Sequence, residues 1–406
     1  MRKRALVVGL GIAGMSAAIG LRQAGWHPVI VEKAPERRRG GYFVGLMPEG
    51  RQAAADLGIR DHLHTRNPPG GGKAWSLNRR GNLEPGLGFL HQPGDPAAVV
   101  RGDIEAALWE GISGNGTDDP IPVHFATKPV EIDDTGADVR ALLEEAGVWR
   151  RERFDLVVGA DGMRSNVRRM VFGPPENYLT GWNAMICAFQ LREQVPSFEE
   201  ADSIISARAG RGAWVFGFAD RPPTALLTYR TEDVEGEFTG SRIERLRAAF
   251  SDMDDPVVRH ALDSLEETPD FLFDSVHQVK MPRWSRGRVV LVGDAAWCLN
   301  LYSGMGATFA LRGGAELGRE LRASPGDLGA ALTAWESRLR PSVVRHQHLA
   351  RVKQQLFVPS NRPAEAVRSV VVRLACTVRE RRLADARAEA RADARAEART
   401  EEGRAA

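Results

Sequence analysis

Three glycines close to the N-terminus have the spacing of a turn that binds a diphosphate. They are Gly9, Gly11 and Gly14. In such a turn the first glycine permits a tight bend, the second lets the backbone approach a pyrophosphate, and the third lets a helix pack closely on a strand. The N–H groups of Ile12 and Ala13 would offer the positive end of that helix to the phosphates. This pattern predicts a dinucleotide site, with a purely structural glycine turn as the alternative.

The segments on either side of the turn are those that a dinucleotide-binding unit requires. An apolar strand, Arg4–Val8, precedes the glycines, and an Ala- and Leu-rich helix over 15–24 follows them. A second strand over 27–31 ends at Glu32. The carboxylate of Glu32 is placed to accept hydrogen bonds from a ribose hydroxyl, and it disfavours the 2′-phosphate of NADP. We therefore include Glu32 and the adjacent Lys33 among the cofactor-binding residues, although this unit alone fits NAD and FAD equally.

Two later apolar strands each end in a glycine next to an aspartate. The first runs into Asp161 and Gly162, and the second runs into Gly293 and Asp294. Open α/β sheets bind their ligands beyond the carboxyl ends of the strands, so a carboxylate at that edge can accept hydrogen bonds from sugar hydroxyls. For Asp294 the alternative is a capping residue for the helix that follows.

These motifs, GxGxxG, GADG and GDAA in this order and spacing, resemble those of the group A flavoprotein aromatic hydroxylases, which have the para-hydroxybenzoate hydroxylase fold. The subgroup resembles the tetracycline-modifying and polyketide-tailoring monooxygenases. The similarity extends from about residue 4 to about residue 360. It implies an α/β fold with a Rossmann-like FAD-binding domain, an inserted and mostly antiparallel β-sheet substrate domain, and C-terminal helices.

The resemblance also implies roles for individual residues. Asp161 and Gly162 would lie near both the flavin and NAD(P)H, and Asp294 would bind the ribityl chain of FAD. Arg101 matches an arginine that opens a helix beside FAD, and Arg38, preferred to Arg37 and Arg39, matches the family's mobile-flavin or nicotinamide-side arginine. The predicted cofactor-binding residues are Gly9, Gly11, Ile12, Ala13, Gly14, Glu32, Lys33, Arg38, Arg101, Asp161, Gly162, Gly293, Asp294, Gly304, Gly306 and Ala307.

Two departures from the family pattern bear on the reaction. Gly45 stands where many relatives have Asp, within the segment Gly40–Leu46 that matches the family's GGY motif. The stretch 297–302, between GDAA and the glycine segment, contains no proline. Proline would stiffen this loop beside the flavin ring. Both departures point to an unusual reaction or to weaker reduction by NADPH.

The motifs divide the chain into discontinuous parts. The predicted FAD-binding domain comprises residues 1–72, 98–176 and 277–360, the substrate domain comprises 73–97 and 177–276, and residues 361–406 form a C-terminal helix and a solvated tail. Strand patterns at 182–191, 212–218 and 224–229, with a hairpin within 73–97, predict the substrate sheet. Its inward face would form the pocket wall, unless its aromatic side chains only fill the core. The candidate pocket residues are Met185, Trp214, Phe216 and Tyr302.

Composition argues against several other classes of protein. The formal net charge of +2 implies no nucleic-acid partner. No apolar run approaches the roughly 18 residues of a membrane span, so no stable membrane association is expected. Three scattered cysteines without a CxxC pair fit a reducing cytoplasm, and the nine histidines show no metal-binding spacing. A redox protein without metal ligands needs an organic cofactor.

The implied activity is that of an FAD-dependent monooxygenase. NADPH or NADH would reduce the FAD, and O2 would form a flavin C4a-hydroperoxide that hydroxylates or epoxidises a small organic substrate. The protein would mainly orient the substrate and exclude water, so no catalytic acid or base is assigned. His91 and His277 are candidates by residue type only. The subgroup suggests a secondary metabolite of antibiotic type, with an aromatic polyketide preferred to an alkaloid or terpenoid.

Other flavin proteins remain as alternatives. A flavin-binding accessory protein, or a flavin reductase without oxygen transfer, would carry the same motifs. The chain has no second GxGxxG, which disfavours the two-dinucleotide Baeyer–Villiger enzymes. It also lacks the WxWxIP motif expected of a flavin halogenase.

Overall fold

A computed structural model describes residues 2–382 apart from 38, 39, 93, 95, 115–118 and 269. Two predictions therefore lie outside the described residues: the role of Arg38 beside the flavin or the nicotinamide, and the solvated tail from residue 383 onwards. No helix in the described part of the chain is long and apolar enough to cross a membrane.

Helices separate several runs of consecutive strands along the chain. In chain order the strands are β1 (Arg4–Val8), β2 (His27–Val31), β3 (Phe43–Leu46), β4 (Ala74–Leu77), β5 (Leu83–Pro85), β6 (Ala97–Val100), β7 (Val123–His124), β8 (Thr127–Asp134), β9 (Val139–Glu145), β10 (Val148–Phe154), β11 (Leu156–Gly159), β12 (Leu179–Gln190), β13 (Ser203–Arg208), β14 (Arg211–Phe216), β15 (Thr224–Arg230), β16 (Leu272–Val279), β17 (Ser285–Arg286) and β18 (Val289–Leu291). The helices are α1 (Ile12–Gln23), α2 (Pro48–Asp56), α3 (Arg101–Ser113), α4 (Asn166–Val171), α5 (Arg242–Ala249), α6 (Pro256–Glu266), α7 (Asp294–Trp297), α8 (Gly306–Ala323), α9 (Leu328–Phe357) and α10 (362–382).

The N-terminal strand lies at the centre of a six-stranded sheet with the order β17-β18-β11-β1-β2-β7. Its strands are parallel except for β17, which pairs antiparallel with β18. All but the first residues of β1 and β2 are buried, as expected for strands covered by helices on both faces. The predicted Rossmann-like domain is therefore confirmed.

A second, seven-stranded sheet has the order β16-β12-β15-β14-β13-β4-β5. It is antiparallel except where β13 pairs parallel with β4. The sheet contains the three strands predicted from sequence, and β4 and β5 form the predicted hairpin. Helices α5 and α6 pack on one face, and the opposite face carries a cluster of aromatic side chains. The predicted α/β fold with an inserted, mostly antiparallel sheet is thus confirmed.

Several elements were not predicted. Strands β8 to β10 form a separate three-stranded antiparallel sheet, and β13 joins the hairpin to the rest of the substrate sheet. The proposed domain boundary at 276/277 falls inside β16, which belongs to the substrate sheet. Helix α10 packs on the hairpin through the ion pairs Arg79–Glu365 and Arg373–Glu84.

The two helices α1 and α8 touch through their backbones. A β-carbon on Gly20 would lie 2.4 Å from the carbonyl oxygen of Gly314, and one on Gly314 would lie 2.3 Å from the carbonyl carbon of Ser16. A β-carbon on Gly318 would lie 2.4 Å from the oxygen of Gly20. Because Ser16 faces Gly314 and Gly20 faces Gly318, the two helices run in the same direction. Their N-termini therefore point to the same side of the domain.

We expect Gly314→Ala to lower the free energy of unfolding of the apoprotein by about 1–3 kcal/mol, because the added carbon would push α8 away from α1. This loss would appear although alanine is intrinsically about 1 kcal/mol better than glycine within a helix. The matched control is Gly329→Ala on α9, where the nearest heavy atom would be 3.5 Å away. Urea unfolding measures both variants, and equal stability of the two would contradict this account of the contact.

Candidate active site

The three glycines of the first turn meet different steric limits. Gly9 has φ +108°, and a β-carbon there would lie 2.5 Å from the carbonyl oxygen of Ala160. A β-carbon on Gly14 would lie 1.9 Å from the oxygen of Gly9. At Gly11, by contrast, a β-carbon would meet no atom within 4 Å. The turn is thus tightly packed on the protein side and open on the side where a pyrophosphate would approach.

The first backbone N–H groups of α1 and α8, like those of any α-helix, have no partner within the helix. Neither helix has a capping side chain at its start, and neither has an acidic residue in its first turn. Each N-terminus therefore presents backbone donors and the positive end of a helix dipole. Gly293 contacts the first of them, since a β-carbon on Gly293 would lie 2.5 Å from the Cβ of Ala13. The second begins at Gly306 and Ala307, beyond Gly304 with φ +68°.

Asp294 begins α7 immediately beyond the third strand motif. Asp294 is exposed. The surrounding protein nevertheless displaces enough water to raise the pKa of its carboxyl, against the opposing effect of the positive charge of Arg101. Arg101 opens α3 and forms an ion pair of 2.8 Å with Glu105. The backbone N–H of Arg101 donates to the oxygen of Tyr42 at 3.1 Å, which attaches the GGY segment to this helix.

Glu32 and Lys33 lie at the end of β2. The Glu32 carboxylate accepts hydrogen bonds from the N–H groups of Leu10 and Ala34, both at 2.9 Å. It thereby braces the glycine turn, and it stands where the ribose of a dinucleotide would lie. Lys33 is exposed beside it.

The Asp161 motif is held by its own helix. The carboxylate of Asp161 accepts from Ser165 Oγ and from the N–H groups of Asn166 and Val167, so both of its oxygens cap the start of α4. Gly162, next to it, has φ +81°. The buried Arg168 of α4 donates to the oxygen of Ala295 at 2.8 Å. This bond connects the Asp161 loop directly to the Asp294 loop.

Three of the four predicted pocket residues come together. Trp214, Phe216 and Tyr302 belong to one buried aromatic cluster on the face of the substrate sheet opposite α5 and α6. The hydroxyl of Tyr302 lies 2.9 Å from Thr228 Oγ1. Met185 is on the other face of the sheet, in the cluster with α5 and α6, so the structure does not bring it together with these three.

Several residues of this region were missed by the sequence analysis. Phe43 stacks on Phe216 with ring centroids 4.2 Å apart, and Phe89 meets Phe43 edge to face at 5.5 Å. Arg164 forms a two-bonded ion pair with Asp274 at 2.6 and 3.0 Å, joining the Asp161 loop to the substrate sheet. The only sequence signal for the two phenylalanines is their position in the GGY segment and in the hairpin region.

The two histidines considered earlier make local contacts. The N–H of Gly88 donates to His91 Nδ1 at 3.3 Å, and burial lowers the pKa of His91. His277 Nδ1 lies 3.2 Å from Ser275 Oγ. Neither contact indicates a catalytic role.

Comparisons with known proteins agree with this geometry. The family model described as "FAD binding domain" matches residues 2–327. A flavin-dependent monooxygenase of Legionella longbeachae is 28% identical over 356 residues, which span 84% of this chain and 86% of that protein. The crystal structure of the tetracycline destructase Tet(55) aligns with a TM-score of 0.74 and 25% identity, covering 92% of this chain and 96% of that one. Klebsiella pneumoniae HpxO, solved with FAD and uric acid, shares the fold at a TM-score of 0.68 and 20% identity, covering 86% and 88% of the chains.

We expect Asp294→Asn to raise the melting temperature of the apoprotein and to weaken FAD binding by about tenfold or more, since a hydrogen bond to a charged group is lost. A raised pKa in the folded state means that the native carboxyl costs stability once pH exceeds its unfolded value, near 3.8. The gain in melting temperature should therefore be absent in acid and grow towards neutral pH.

Thermal scans across pH and titration of the apoprotein with FAD measure the two effects. The control is Asp61→Asn at an exposed carboxylate, which should change neither quantity. A variant that is less stable at neutral pH, or that binds FAD as the parent does, would contradict this assignment.

Proposed function

This chain belongs to the group A FAD-dependent monooxygenases, and on that basis we propose that NADPH or NADH reduces its FAD and that O2 then supplies one oxygen atom to a small, electron-rich organic substrate. The outcome would be hydroxylation or epoxidation. When bound, FAD would accept the hydride and activate O2 at its C4a position.

The observation that carries the proposal is the pair of open helix N-termini beside Asp294. The N–H groups of residues 12–14 would hold the pyrophosphate, and Glu32 would accept from the ribose. Asp294 would accept from the ribityl hydroxyls. The N–H groups of residues 306 and 307 would face the pyrimidine edge of the flavin, where negative charge accumulates on reduction. Arg101, next to Asp294, would add a positive charge on the same side.

The substrate that we propose is a planar aromatic molecule. The face of the substrate sheet that is not covered by α5 and α6 is rich in aromatic side chains, and flat rings stack favourably on such surfaces. The cluster and its immediate neighbours include Phe43, Phe89, Trp182, Trp214, Phe216, Tyr302 and Phe357. The likeness to Tet(55), a tetracycline destructase, supports an antibiotic-type secondary metabolite, with an aromatic polyketide preferred to an alkaloid or terpenoid.

Side-chain acid–base chemistry has a small part in this proposal. The protein would orient the substrate, exclude water from the flavin and stabilise charge through backbone N–H groups. The ion pair Arg164–Asp274 would keep the substrate sheet in register with the Asp161 loop while this happens.

We expect the FAD-loaded protein to lose its visible flavin absorbance when NADPH is added without oxygen, and to recover it when oxygen is admitted, because reduced flavin reacts with O2. Reduction should be faster in the presence of a planar phenol that binds the site. The measurement is anaerobic stopped-flow spectroscopy, with NADH as the parallel reductant.

The outcomes separate the rival functions. Reduction and recovery with a product heavier by one oxygen supports the monooxygenase. Reduction with slow recovery and a saturated product supports a flavin reductase. FAD that binds but stays oxidised with every tested phenol supports an accessory protein, and failure to bind FAD overturns the whole proposal.

A further inference from the structure

Gly45 on β3 is covered by the ring of Phe89. A β-carbon on Gly45 would lie 1.8 Å from Phe89 Cζ and 2.1 Å from Cε1. Such distances are impossible for any residue with a side chain, so Phe89 occupies its place only because position 45 is a glycine. Gly45 is buried in this contact, and Phe89 is half-buried.

The backbone around Phe89 is closely tied to the substrate sheet. The N–H of Gly86 donates to the oxygen of Ala74 at 2.7 Å, and the N–H of His91 donates to the oxygen of Gly88 at 3.1 Å. A β-carbon on Gly86 would lie 2.7 Å from the carbonyl carbon of Trp75. The short turn that carries Phe89 is therefore attached to the β4–β5 hairpin through its backbone.

The ring of Phe89 also reaches the loop that we assign to the flavin. A β-carbon on Gly304 would lie 3.6 Å from Phe89 Cε2, which is ordinary van der Waals contact. On its other side Phe89 meets Phe43 edge to face, and Phe43 stacks on Phe216 at an interplanar angle of 5°. A row of rings thus leads from the 304–307 segment to the substrate sheet.

From these contacts we propose that Phe89 is a substrate-positioning residue that forms the wall of the substrate site at the flavin edge, in a place that Gly45 leaves open for it. The proposal rests on the proposed function, since it uses the flavin position given above. The ligand of this site would be a planar aromatic ring that lies against Phe89 and Phe43. Any side chain at position 45 would push the Phe89 ring out of that place.

The contact between Gly45 and Phe89 predicts how substitutions at the two positions combine. Phe89→Ala removes the wall, and Gly45→Ala displaces it, so both should expose the flavin and weaken binding of a flat ligand. In the double variant the methyl group added at position 45 meets no ring, so its defect should equal that of Phe89→Ala and not the sum of the two. Additive effects are expected only of residues that act independently.

The experiment uses the FAD-loaded, full-length protein with two probes. Quenching of flavin fluorescence by iodide reports access to the flavin without any turnover, and we expect it to rise about twofold or more in each single variant and in the double variant. Binding of alizarin, a planar three-ring phenol, is followed by the flavin difference spectrum, and we expect about tenfold weaker binding, as for loss of an aromatic contact with its buried area. FAD affinity should stay within about twofold, since neither Gly45 nor Phe89 is assigned to FAD binding.

The matched control is Phe238→Ala, an exposed phenylalanine that packs on Phe273 away from the 304–307 segment. It should leave both readouts unchanged. Iodide quenching that is unchanged in Phe89→Ala, or defects that add in the double variant, would overturn the pairing whether or not alizarin binds. A parent protein that does not take up FAD would overturn the proposed function and this inference with it.

Discussion

The backbone contact between α1 and α8 is the constraint on which the cofactor site depends. Two helices that carried ordinary side chains at Gly20, Gly314 and Gly318 would stand further apart. Close approach in the same direction brings two uncapped N-termini to one side of the parallel sheet. That side is also where the strand ends deliver Asp161 and Asp294. Packing between α1 and α8 thus determines where the backbone donors and the carboxylates converge.

The electrostatics of the site follow from the same arrangement. Displacement of water by the surrounding protein raises the pKa of the carboxylate at the start of α7, and the positive charge of Arg101 opposes this. Such a carboxylate lowers the stability of the empty protein, and hydrogen bonds from sugar hydroxyls would stabilise it. The Asp161 carboxylate differs, because all of its described bonds are directed to α4 and its surroundings. Two aspartates in similar motifs therefore differ: the Asp161 carboxylate is engaged by the fold, whereas Asp294 is the one that we propose for the ligand.

Sequence patterns predicted the features that depend on residues close together in the chain. The glycine turn, the buried strands and the hairpin follow from spacing and alternation, so the fold class and the three strand-end motifs could be predicted. Alternation along β12 shows that Met185 and its neighbours face opposite ways, but not which face meets the FAD-binding domain, and Met185 lies on the far face. The Arg164–Asp274 pair and the Phe89–Gly45 contact join residues far apart in sequence, which single-chain patterns do not reveal. Strands β8 to β10 were missed because their exposed, charged faces give a weak apolar signal.

The chain forms most of the substrate sheet between two neighbouring strands of the parallel sheet, and this insertion affects how such a protein can diversify. Strands β11 and β18 are direct neighbours, although most of the second sheet lies between them in the chain. The inserted sheet is therefore a module that can vary at its aromatic face without altering the register of the strands that present Asp161 and Asp294. If that face binds the substrate as proposed, point changes on it can accumulate over generations and alter which molecule is oxidised, while the redox chemistry stays constant.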